Sequence, residues 1–179
     1  MTPTPLRLLA RTLLAASLAL PGLSAWPAPH AHEHGVAKLA VAVDGSTLTI
    51  DLDAPLDGFL GFERAPRNDA ERKAAAGLLA RLRDAASLFR PDAAAGCKAG
   101  EVTVDAPVLE PGAKGTGEHA DLELQFSFQC AQPQALRTLD VALFDAFKRL
   151  QRIDVQVATA KGQSKATLRR PARTVTLAR

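Results

Sequence analysis

The sequence predicts an α+β fold: a mainly antiparallel β-sheet with one long amphipathic helix packed on it and a second short helix. Three observations predict it. Apolar residues alternate with polar ones in several short runs, as in strands with one buried and one wet face. Asp44-Gly45 sits between two such runs, the strongest short-range hairpin signal. One stretch of helical periodicity, 68–89, interrupts the strands. At 179 residues, 47% hydrophobic and 23% charged, the chain suits one domain with a real core. That excludes a disordered tail or a collagen-like chain. The net charge of only +3 and the lack of Tyr, with one Trp and seven Phe, offer little to a nucleic acid.

Residues 1–25 read as a secretory signal. Arg7 and Arg11 precede an apolar run, Leu13 to Leu20, then Pro21-Gly22 and a small-residue cleavage site at Leu23-Ser24-Ala25. The run is far shorter than the roughly 20 residues that span a bilayer, so no stable membrane insertion is expected. No Cys follows it to carry a lipid anchor. The expected mature chain is one domain, 26–179, exported to the periplasm and monomeric. Export makes a disulfide the default reading of Cys97 and Cys130, the only two cysteines, which have no Cys-x-x-Cys spacing.

A His-bearing segment, 26–35, opens the mature chain. Ala37, Leu39, Val41 and Val43 then share one face, and Leu48, Ile50 and Leu52 return after the Asp44-Gly45-Ser46 turn. Pro55 ends the hairpin, and Phe59-Leu60-Gly61-Phe62 makes an apolar turn. Asn68 or Asp69 caps a helix expected to reach about Leu88, with Leu78, Leu82, Ala85 and Phe89 at helical spacing. Pro91 to Gly100 reads as a loop, and Val102, Val104, Ala106 and Val108 as a strand. The Gly-rich residues 110–118 read as a flexible loop. Leu122, Leu124, Phe126, Phe128 and Cys130 form the cleanest strand, with His119, Asp121, Glu123 and Gln125 on its wet face. Leu139, Val141 and Leu143 alternate next, then a short turn carries Phe144 and Phe147. Ile153 to Val157, Ala166 to Leu168 and the stretch around Val175 complete the strands. A His before an alternating strand and two Phe three apart recur in each half, a faint sign of duplication.

The informative cluster is His30-Ala31-His32-Glu33-His34, which holds three of the four histidines. On extended backbone, alternate residues share a side, so His30, His32 and His34 can converge on one cation. Neutral imidazole is a favoured ligand of zinc, and tetrahedral zinc needs one further ligand. His119, with Asp121 two residues on, is the natural candidate, provided that the two strand heads meet at one sheet edge. The bland alternative is a solvated tail that binds metals weakly. Glu63, Arg64 and Arg67 read first as an ion-paired structural turn. His-Glu-x-x-His, Gly-x-Ser-x-Gly and phosphate-loop motifs are all missing, so no enzymatic activity is expected.

Gly61-Phe62-Glu63-Arg64-Ala65-Pro66, the opening His32-Glu33-His34-Gly35, His119-Ala120-Asp121 leading to Phe126-x-Phe128-x-Cys130, and Ile153-Asp154-Val155-Gln156-Val157 together resemble the ZrgA family. The likeness spans essentially the whole mature chain. It implies periplasmic zinc binding in support of a zinc ABC importer or its solute-binding protein, with zinc held by His32, His34 and His119 and by Asp121 and Glu63. The sequence departs from the family in two places. Its 110–118 stretch carries no His, and Arg64 stands where relatives have the His of Gly-Phe-Glu-His-Ala-Pro. The rival expectation is a secreted structural or interaction domain whose N-terminal histidines are incidental.

Overall fold

A computed structural model describes residues 33–110, 113 and 120–177. The expected leader, His30, His32 and His119, and most of the 110–118 loop lie outside the described residues.

The strands are β1 (Val36–Asp44), β2 (Thr47–Pro55), β3 (Phe89–Pro91), β4 (Cys97–Asp105), β5 (Asp121–Cys130), β6 (Thr138–Val141), β7 (Arg152–Thr159), β8 (Gly162–Leu168) and β9 (Thr174–Thr176). They form a six-stranded sheet, β4-β5-β2-β1-β7-β8, and a three-stranded sheet, β3-β6-β9. Every pairing is antiparallel except β1 with β7, which is parallel.

The α+β expectation is therefore corrected: the fold is mainly β. Among the described residues one helix exceeds a single turn, α2 (Asp69–Leu82); α1 (Asp57–Leu60), α3 (Ala85–Leu88) and α4 (Leu143–Ala146) have four residues each. Asn68 caps α2, its side chain accepting from the Glu71 N–H. The apolar spacing runs on past Leu82, but the chain leaves helical geometry at Asp84, whose carboxylate accepts from Ser87 N–H and starts the separate turn α3. Phe89 then enters β3. Only Ala75, Leu78 and Leu82 of α2 are buried, so it presents a narrow stripe rather than a broad apolar face.

Smaller corrections follow from tertiary pairing. Cys97 opens a strand rather than lying in a loop, and that strand ends at Asp105, so Ala106 and Val108 fall in and beside a 3-10 turn. Leu143 begins α4 instead of extending β6. The suggested duplication is not structural: β1 pairs with β2, whereas β5 and β6 lie in different sheets.

The core lies between the two sheets. Leu39, Ile50, Leu52, Phe126 and Val155 of the larger sheet share one apolar cluster with Phe89, Leu139, Val141 and Val175 of the smaller. Phe89 and Phe126 meet edge to face at 4.8 Å. No polar residue is buried among those described. The disulfide Cys97–Cys130 joins directly opposed residues of β4 and β5, as the redox argument expects. No helix of the described residues is long and apolar enough to cross a membrane.

Because β2 runs antiparallel to both β1 and β5, the heads of β1 and β5 lie at one sheet edge, together with the tail of β2. That edge positions the site.

Candidate metal centre

Three segments meet there. Before β1, Val36 N–H donates to Glu33 C=O at 3.1 Å, closing a turn with His34 and Gly35 in the middle. Gly35 has φ 71°, a conformation that favours glycine. A Cβ at Gly35 would also stand 3.1 Å from the Arg149 carbonyl oxygen. Gly35 C=O accepts from Gln151 N–H at 2.8 Å, and Arg152 grips Glu33 through two bonds of 3.0 and 2.6 Å. His34 is thus carried on a turn pinned from both sides, not on the extended backbone expected from sequence.

After β2, Pro55 ends the strand and Leu56 N–H donates to Ala120 C=O at 3.0 Å. Asp57 opens α1, which ends at Gly61 with φ 82°. Gly58 packs closely, since a Cβ there would lie 2.9 Å from Leu150 Cδ2 and force that side chain to shift. Glu63 follows two residues beyond Gly61. Arg64 makes two bonds of 2.7 and 3.0 Å to Glu71, which also accepts from Arg67 N–H. These contacts draw the Glu71 carboxyl down to about 2. The ion-paired turn expected around Arg64 and Arg67 is therefore present, while Glu63 belongs to a different group.

His34 Nδ1 lies 2.8 Å from Asp57 Oδ2 and 3.8 Å from Glu63 Oε1. One ligand-type atom from each of the three comes within 4.8 Å of the others, the one such group of three or more among the described residues. The carboxylates are largely sheltered, Glu63 to 13% exposure, while the imidazole is 73% exposed. The hydrogen bond to Asp57, then the charges of Asp57 and Glu63, raise the His34 pKa. Asp57 Oδ1 is buried without a hydrogen bond, an acceptor that a cation would satisfy.

One nitrogen and two carboxylates within this spacing suit a borderline divalent cation such as zinc, and leave a fourth position to solvent or another ligand. Of the residues expected from sequence, the structure brings His34 and Glu63 together. Asp121 stands at the same edge, opposite Pro55 at the head of β5, outside the group of three. Asp57 escaped the sequence reading; its only local signal is a carboxylate placed, like Glu63, just outside the apolar turn Phe59 to Phe62. The wet face of the larger sheet carries Asp105, Glu123, Asp53, Lys38 and Asp154 in one cross-strand row.

The sequence model of a family described as the ZrgA family zinc uptake protein matches residues 31–177. The chain belongs to that family. No curated protein matches it.

Proposed function

We propose that the protein binds one Zn²⁺ through His34, Asp57 and Glu63 in the periplasm, and buffers it or passes it to a zinc ABC importer or that importer's solute-binding protein. The convergence of these three ligand atoms at one sheet edge carries the reading, and membership of a zinc uptake family supports it. Three protein ligands with an exposed imidazole suit cargo that must leave again, since structural zinc sites are closed by four. Zinc here is cargo, and no catalytic step is assigned to the chain. The disulfide supports export, because such bonds persist in oxidising compartments.

His32 and His119 precede Glu33 and Ala120 in the sequence, so they enter the test. Zinc is titrated calorimetrically into the mature protein and into His34→Ala, Asp57→Asn, Glu63→Gln, His119→Ala and a His30/His32 double alanine variant. The reading expects one equivalent per chain and at least a tenfold loss of affinity in each of the first three. Undiminished affinity in His34→Ala and Asp57→Asn would refute the site. Stoichiometric binding lost only in the double variant would return the metal to the N-terminal segment, and weak binding throughout would favour a structural or interaction domain.

A further inference from the structure

A second feature adjoins α1. Phe59 and Leu60 of that turn, Gly77, Leu78 and Arg81 of α2, and the segment Ala146 to Arg149 after α4 enclose an open groove of about 430 Å³. Its apolar wall includes Phe59 and Phe147, in edge-to-face contact at 4.7 Å. Its rim carries Arg81, Lys148 and Arg149, and none of the three is ion-paired with a carboxylate among the described residues.

The backbone that carries the rim is held in place, and Arg81 with it. Arg81 Nη1 donates to Ala146 C=O at 3.0 Å. The Arg149 guanidinium lies against Gly61, where a Cβ would come within 2.7 Å of its Cζ. Arg170 donates to the carbonyls of Phe144, Phe147, Lys148 and Leu150, fixing the segment that bears Lys148 and Arg149. A preformed site of this kind loses less entropy on binding.

Gly77, an exposed position of α2, leaves one side of the groove open. Glycine inside a helix is unfavourable relative to alanine, and apart from its chain neighbours and the backbone of α2 no described atom lies within 4 Å of where its Cβ would stand. Internal packing therefore does not require it. A larger side chain at this position would stand in the groove.

We propose that this groove docks an acidic segment of a partner protein, with an apolar side chain against the half-exposed Phe59 and Leu60 and flanking carboxylates on Arg81, Lys148 and Arg149. Complementarity of charge selects an acidic occupant, and Arg can bind a carboxylate through two parallel bonds. The proposal goes beyond the zinc reading and does not depend on it, although α1 carries both Phe59 and the zinc ligand Asp57.

The test uses the mature protein and a fluorescent peptide, Asp-Glu-Asp-Phe-Asp-Glu-Asp, followed by anisotropy with and without zinc. Controls replace the acidic residues by Lys or the Phe by Ser. The acidic Phe peptide is expected to bind at least tenfold more tightly than either control. Its affinity should fall with added salt and drop at least tenfold in Arg149→Glu and in Gly77→Leu. Gly77→Leu should keep its zinc isotherm and raise the melting temperature, which separates a filled groove from a misfolded chain. Equal binding of acidic and basic peptides, or unchanged binding by Gly77→Leu, would overturn the proposal. So would a concentration-dependent dimer that Gly77→Leu abolishes, since the occupant would then be a second copy of this chain.

Discussion

Replacing Cys97 and Cys130 together by Ala removes a crosslink that closes a 33-residue loop. The chain-entropy relation gives about 12 cal/mol/K for a loop of that length, or about 4 kcal/mol at 25 °C. For a domain of this size each kcal/mol moves the melting temperature by roughly 2–4 °C, so the variant should melt about 8–15 °C lower. The bond lies at the end of β5 remote from the metal edge. Cys130 closes a strand of ten residues that begins at Asp121, a span of about 30 Å. Differential scanning calorimetry of the oxidised wild type and the double variant measures the shift, and zinc titration of both should give the same isotherm. A shift below about 2 °C in fully oxidised protein would refute the entropic account. A weakened zinc isotherm would refute the separation of the bond from the metal edge.

Zinc needs a neutral imidazole, and Asp57 and Glu63 raise the His34 pKa; affinity should hold above that raised value and fall about tenfold per pH unit well below it. Calorimetry from pH 5 to 8 checks this, and a pH-independent affinity would exclude His34 as a ligand. In the metal-free protein the sign reverses. A raised folded-state pKa stabilises fully below the ordinary value of 6.5 and loses that contribution as pH rises through the folded value. His34→Gln should therefore lower the urea midpoint more at pH 5.5 than at pH 8.5. Glu71, held down to about 2, contributes stability above its ordinary value of 4.5 that disappears as pH falls toward 2. Glu71→Gln should accordingly destabilise far more at pH 7 than at pH 2 in urea titrations. Phe126 is 0% exposed and in ring contact with Phe89 across the two sheets, so Phe126→Ala should cost about 3–5 kcal/mol by chemical denaturation.

Much of the larger sheet was legible because its code is local. Period-2 alternation in 37–43, 48–52 and 122–130 assigns inward and outward faces whatever the neighbours are, and Asp44-Gly45 sets a turn within a few residues. Asn68 marked the start of α2 for the same reason. Its end was not legible, because Ala85, Leu88 and Phe89 keep helical spacing. They are nevertheless buried through a separate turn and a strand that pairs with β6, more than forty residues away in sequence. At the candidate site, His34 and Glu63 bore recognisable signals, whereas Asp57 gains its meaning only from the carboxylate and imidazole brought beside it.

Sequence alone thus determined the strand faces, the cysteine pair and the segment where an imidazole would be found, since each depends on residue chemistry or neighbours within a few positions. Tertiary structure alone decided that β1 and β7 pair in parallel, that a second sheet covers the core, and that positions 34, 57 and 63 share one edge. Those outcomes depend on which strands hydrogen-bond across long stretches of chain, and on the competition of all their buried faces for one core, which no short window of residues contains.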